Sequence, residues 1–143
     1  MAIQNSNPAT GQSLFWEDLA HDLEDSAFLR EYIVESMRIA TIDALVNALD
    51  AAREAATMSK ADLARAIGAE PAVIRRLFSS GHVNPTLGTV AEVAAALGMR
   101  VTIEKLPARD RKVVTDPLLK GHAGNPKALA EHLTAMRELA KAS

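Results

Sequence analysis

The sequence predicts an all-α protein: a bundle of short helices, preceded by a helical extension and followed by one short strand and a last helix. Three observations predict it. The 143-residue chain is 48% hydrophobic but only 3% aromatic, with seven Gly and no Cys. A core of Leu, Ile, Val and Ala in an Ala-rich background favours helices. Apolar residues recur every three or four positions along much of the chain, which is the helical period. Lys60 to Gly81, KADLARAIGAEPAVIRRLFSSG, reads as a short helix, a tight turn and a second short helix.

Length and composition bound the rest. The chain has room for one domain plus extensions. Without Cys it forms no disulfide and no thiolate metal site, in keeping with a reducing cytoplasm. No run of about 18 apolar residues is present, and the first residues lack a basic segment followed by an apolar one. Neither a membrane span nor a signal peptide is expected. The net charge of −2 hides an asymmetry. Residues 1–57 carry ten acids against three bases, a net of −7; residues 58–143 carry eight against thirteen, a net of +5. Such a split suggests nucleic acid as partner of the basic half and something else for the acidic half.

Taken in order, residues 1–24 divide into a polar arm, Met1 to Gln12, and a short acidic helix that Ser13 can cap. Leu14, Phe15, Leu19 and Leu23 make its apolar stripe; Glu17, Asp18 and Asp22 face water. Phe15 and Trp16 either staple this helix to the body or form an anchor for a partner, and packing is the commoner role of such residues. Residues 25–57 form the lead-in, capped by Asp25 or Ser26. Phe28, Leu29, Tyr32, Ile33, Met37 and Ala40 give one stripe, and Leu45, Val46, Leu49, Ala52 and Ala56 continue it. The β-branched run near Thr41 marks a bend or a break. Glu31 and Glu35 add to the acidic surface.

Residues 58–98 are the centre. Ser59 and Asp62, three apart, match a capping box with Asp in place of Glu. Leu63, Ala64 and Ile67 face inward. Gly68 ends the helix where a left-handed residue lets the chain turn. Pro71 fits the first turn of the next helix, where its missing N–H has no helical partner. Ile74, Leu77 and Phe78 face the core; Ala72, Arg75, Arg76 and Ser79 are left outside. Thr86 caps a further helix that buries Val90, Val93, Ala94 and Leu97 and stops at Gly98.

These residues carry a resemblance. Leu63-Ala64-Arg65, Gly68, Ile74 and Leu77, then Asn84-Pro85-Thr86-Leu87 and Ala95-Ala96-Leu97-Gly98, resemble the Xre/Cro-type helix-turn-helix family. More closely, NPTLGTVAEVAAALGMRVTIEKL is similar to the HigA-like addiction-module antidote antitoxins, as is the lead-in LEDSAFLREYIVESM. The resemblance covers residues 23–107. It implies a second helix lying in a DNA major groove about 12 Å wide, braced by the first. It also implies a RelE-like partner, a small basic mRNA-cleaving ribonuclease, and repression of the protein's own operon.

In that frame Arg75 and Arg76 are the candidate base readers, since Arg can bond guanine O6 and N7 together. Ser59, Lys60 and Ser79 are placed for phosphates. Glu70 can accept from cytosine and Ala72 can touch a thymine methyl. Pro71 and Ala72 depart from the polar readers such proteins usually carry there, and the loop at Gly81-His82-Val83 is about one residue longer than usual. The candidate toxin-binding residues are Phe15, Trp16, Glu17, Asp18, Asp22, Glu31 and Glu35.

Beyond Gly98 the pattern changes. In MRVTIEKL, Val101 and Ile103 alternate with Arg100, Thr102 and Glu104, a strand signal over residues 99–106. A lone strand needs a partner for its backbone groups. A second copy, paired through Val101 and Ile103, is the simplest, and a two-fold dimer suits successive major grooves about 34–36 Å apart. Residues 107–143 hold a basic linker, with Arg109, Arg111 and Lys112 as an auxiliary phosphate cluster or a solvated surface. A final amphipathic helix follows, with Leu129, Leu133, Met136 and Ala140 on one face and Leu139 beside it. His21, His82, His122 and His132 stand in no metal-ligand spacing, and no phosphate-cradling Gly loop or nucleophile motif is present. The expectation is a non-enzyme without metal, cofactor or small-molecule substrate. It is either an operator-binding antitoxin paired with a basic toxin or a free-standing regulator of the same DNA-binding class.

Overall fold

The computed structural model describes residues 8–79 and 83–142, with side chains from Gly11 onward. Helices α1 (Pro8–Asp22), α2 (Ser26–Ala55), α3 (Lys60–Ile67), α4 (Pro71–Leu77) and α5 (Leu87–Ala96) come first. A short α6 (Ala108–Asp110) leads through a π-helical turn (Arg111–Thr115) into α7 (Asp116–Lys120), and α8 (Pro126–Ala142) closes the chain. No strand occurs among the described residues.

The helices form two compact units: residues 39–105 with 139–143, and residues 1–38 with 106–138. In the first, Leu49, Leu63, Ala64, Ile74, Leu77, Val90, Val93 and Ala94 make the core, with Leu45, Val46, Met58, Ile67, Phe78 and Leu97 packed around it. Leu45, Val46 and Leu49 come from α2, so the bundle takes its first helix from the lead-in. Arg53 fixes that junction. It bonds the Asp50 carboxylate through Nε at 2.9 Å and the Met58 carbonyl at 2.9 Å, and lies 5.7 Å from the centre of the Phe78 ring. An Arg stem and head held this way join the end of α2 to the end of α4.

In the second unit, Leu23, Leu29 and Ile33 pack with Val114, Leu129, Ala130 and Leu133. The last helix therefore docks on the protein's own N-terminal helices. Ser26 Oγ donates to the Gly121 carbonyl at 2.7 Å, and Arg30 donates to the Leu118 and Leu119 carbonyls at 3.0 and 3.2 Å, closing the end of α7. Asn125 Oδ1 accepts from the Ala128 N–H at 3.1 Å and starts α8, with Pro126 as its first residue.

Several expectations change. Residues 1–7 of the expected arm lie outside the described residues, but Pro8 to Gln12 are helical, and Ser13 sits within α1 rather than capping it. Pro fits a first helical position because its ring presets φ and the N–H it lacks would be unbonded there. The lead-in is one unbroken 30-residue helix. A few β-branched residues near Thr41 cost only tenths of a kcal/mol each against Ala, too little to break a helix that buries Ala40 and Leu49. Asp25, not Ser26, caps it, accepting from the Phe28 N–H at 3.0 Å. The expected strand at 99–106 is not formed. Those residues have no regular structure, because a strand is held by a ladder to a neighbour and this chain supplies none.

Candidate nucleic-acid interface

The site is built on the turn between α3 and α4. Ser59 Oγ accepts from the Asp62 N–H at 3.0 Å, and Asp62 accepts from the Ser59 N–H at 3.1 Å, completing the predicted capping box. The Ser59 side chain, then its backbone N–H, and Arg65 alongside hold the Asp62 carboxyl below its ordinary pKa. Asp62 also pairs with Arg65. Gly68 ends α3 at φ 67°, its N–H and that of Ala69 returning to the Arg65 and Ala64 carbonyls. Glu70 then occupies the cap position of α4 without a side-chain hydrogen bond, and Pro71 opens the helix. Leu63 and Ile74 are fully buried, so the two helices are locked face to face while their outer sides stay in solvent.

On that outer side Arg75 and Arg76 are exposed, as is Lys60 at the first position of α3. None of the three has an ion-pair partner among the described residues. Cations left free in this way can meet an anion without first breaking a bond. Ser59 is exposed, but its hydroxyl oxygen already accepts from α3. Ser79 follows the end of α4 at Leu77, outside the helix, and its hydroxyl donates to the Arg76 carbonyl at 2.8 Å. A phosphate only accepts, so Ser79 can meet one only if that bond opens. Glu70 and Pro71 are exposed and Ala72 is half-buried, so the start of α4 offers one acceptor and little else.

A cleft of about 230 Å³ lies beside Arg76, lined also by Ser79, Asn84, Thr86 and Thr89. Thr86 Oγ1 accepts from the Thr89 N–H at 3.2 Å, and the two hydroxyls are 3.0 Å apart. Asn84 and Thr89 are polar groups at the edge of the reader that sequence reasoning left off the site. The available signal was the three-residue Thr86–Thr89 spacing; the sequence reading named only Thr86, as a cap. The longer loop expected at Gly81-His82-Val83 falls mainly on residues 80–82, outside the described residues.

The other predicted residues sit elsewhere. Arg109, Arg111 and Lys112 are exposed but belong to the other compact unit, next to Asp110, which pairs with His132 at 2.9 Å. In that unit Trp16 packs against the core, whereas Phe15 is 59% exposed and meets the Trp16 ring edge-on. Of the two roles left open, Trp16 staples and Phe15 stays in solvent. Glu17, Asp18, Asp22, Glu31 and Glu35 are exposed. Glu35 is engaged by Arg38 at 2.7 and 2.8 Å, while Asp22 and Glu31 line a shallow hollow with His21, Asp25 and Phe28. Val101 and Ile103 are exposed, Ile103 almost fully.

Among the described residues no helix is long and apolar enough to cross a membrane, and no three His, Asp or Glu side chains gather as a metal site would need. No curated protein and no solved structure matches the chain. The family model described as Helix-turn-helix does match, over residues 49–103. The match begins in α2, at the Leu49 that the core recruits, and ends past α5. Residues 49–103 of this chain are a helix-turn-helix domain of the Xre/Cro type, a DNA-binding fold.

Proposed function

We propose that the protein is a repressor that reads operator DNA as a homodimer through α4, and that it is the antitoxin of a type II toxin–antitoxin module. In this reading it acts in the cytoplasm by binding rather than catalysis. One observation carries the DNA-binding part: a capped, glycine-turned helix pair that leaves Lys60, Arg75 and Arg76 exposed and, among the described residues, without an ion pair. Arg75 and Arg76 serve as readers, and Lys60 holds a phosphate and fixes register. With Pro71 and Ala72 blunt, specificity rests on the two arginines, Asn84 and dimer geometry.

The antitoxin part draws support from the other unit. It presents an acidic surface with Leu14, Phe15 and Phe28 exposed among the carboxylates, a combination that suits a small basic ribonuclease of the RelE/HigB kind. Charge steers such a partner, and exposed aromatics anchor it. A free-standing regulator is the second reading. It is favoured by the chain's own 106–138 segment, which already fills the interior of this unit and so gives the extra helices a structural use.

Two substitutions test the reader. Arg76→Ala should weaken operator binding by about 1–3 kcal/mol and relax preference at one base pair; an unchanged footprint removes it from the readers. Lys60→Ala should weaken binding to all sequences alike and make the salt slope shallower by about one unit. Co-expression with the product of the neighbouring reading frame separates the two functions. Co-purification with a basic ribonuclease, and loss of its toxicity, support the antitoxin; a neighbour that fails to bind leaves the free regulator.

A further inference from the structure

Between α5 and α6 lies the segment the strand signal marked. Among the described residues, no backbone group from Arg100 to Leu106 takes part in a hydrogen bond, and neither Arg100 nor Glu104 makes an ion pair. Val101 is 41% and Ile103 98% exposed. These are β-branched residues left in water beside unmet donors and acceptors, the pattern of an edge awaiting a partner.

The order Arg100-Val101-Thr102-Ile103-Glu104 says which partner. Turned end for end about Thr102, it lays cation on anion and apolar on apolar. We infer that residues 100–104 pair antiparallel with the same residues of a second copy, about a two-fold axis at Thr102. This rests on the proposal that the domain works as a dimer, and it supplies the register. Residues directly opposite share a face of the ribbon. One face carries two Val101–Ile103 pairs. The other carries Thr102 against Thr102, flanked by two Arg100–Glu104 pairs. A parallel pairing in register sets Arg100 beside Arg100 and Glu104 beside Glu104, which repel. An antiparallel slip by one residue puts an apolar residue opposite a polar one, and any slip breaks both charge pairs. An isolated two-stranded ribbon is marginal in water, so this dimer dissociates on dilution and is steadied when both copies lie on DNA.

The chain has no Cys, so an introduced thiol reports its own surroundings. Full-length Thr102→Cys should form a disulfide-linked dimer rapidly on mild oxidation, since the two Cβ atoms face each other within reach. Val101→Cys and Ile103→Cys should cross-link poorly alone and readily when mixed. Arg100→Glu or Glu104→Arg should each move the monomer–dimer midpoint in sedimentation to roughly tenfold higher concentration, and the double reversal should restore it. The register is overturned if Thr102→Cys links no faster than its neighbours, or if the double reversal fails to recover. A dimer whose midpoint is unmoved by both Arg100→Glu and Glu104→Arg uses another face, which overturns the pairing but not the dimer. A chain that stays monomeric yet protects one operator half-site overturns the pairing and the dimer while leaving DNA reading intact. Thr102→Cys dimers that bind no DNA support the pairing and sink the DNA reading.

Discussion

The two compact units draw their cores from the chain in different ways. The helix-turn-helix core is local: Leu49, Leu63, Ile74, Leu77, Val90 and Val93 follow one another through four consecutive helices. The acidic unit closes over a distance, with Leu23, Leu29 and Ile33 meeting Val114, Leu129 and Leu133, and a bond from Ser26 to Gly121 spanning 95 residues. Loop-closure cost grows only with the logarithm of length, so the second arrangement is affordable. The difference is one of information. A local core announces itself through caps and turns, whereas a distant one leaves amphipathic helices whose partners have no address in the sequence.

The sharpest way to break this comparison is to empty each core in turn. Ile74 and Leu133 are each essentially inaccessible, so Ile74→Ala and Leu133→Ala should each cost about 2–5 kcal/mol. If the units are energetically distinct, hydrogen exchange should rise mainly in α3 to α5 for Ile74→Ala. It should rise mainly in α1, the first third of α2 and α8 for Leu133→Ala, with operator binding lost only in the first. Loss of protection throughout the chain in both variants would show a single cooperative unit and dissolve the distinction.

The same contrast explains what the sequence could say. Ser59, Gly68, Pro71, Thr86 and Gly98 each mark a helix end by local chemistry, and each occupies the predicted place. Arg75 and Arg76 were legible as outward because Ile74 and Leu77 bracket them at helical spacing. Arg53 was not, since its role depends on Asp50, Met58 and Phe78 arriving together from different elements. The amphipathic pattern of the last helix was legible, but its docking surface lies a hundred residues upstream. The strand signal at 99–106 was real as a pattern and empty as a structure, because pairing is a property of two segments and alternation describes one.

A milder intervention sharpens the local side. Ser59→Ala removes a capping acceptor and should cost about 1 kcal/mol, read as a lower urea midpoint at neutral pH. The pH profile adds a signature. The folded-state pKa of Asp62 is depressed, chiefly by Ser59, so the unfolded chain binds the proton more readily than the native one. The stabilisation is present above the unfolded value, near 3.9, and is lost as pH falls through the lower folded value. The wild-type midpoint should therefore fall more steeply on acidification than that of Asp62→Asn. Parallel acid limbs would mean that the box does not couple to folding.

The smallest effect concerns the joint where α2 hands over to the reader. Gly68, Gly98 and Gly121 end their helices at positive φ, but α2 ends through Thr57 at φ 54°, the one non-glycine residue of that kind among those described. Its N–H returns to the Glu54 carbonyl at 3.0 Å, and the Met58 N–H to Arg53 at 3.1 Å. The turn therefore has the hydrogen bonds of a glycine-terminated helix without the glycine. A left-handed conformation costs an L-residue about 1–2 kcal/mol, and β-branching makes Thr a poor occupant. Thr57→Gly relieves that strain but gives the unfolded chain more freedom, worth about 0.5–1 kcal/mol the other way. Among the described residues the Thr57 hydroxyl has no hydrogen-bond partner to lose. A net gain of about 0.5–1 kcal/mol in urea unfolding is expected, with operator affinity unchanged because the turn's geometry is kept. A loss of stability would show that the stiffness of Thr57, rather than the shape of the turn, holds α3 and α4 at the end of α2.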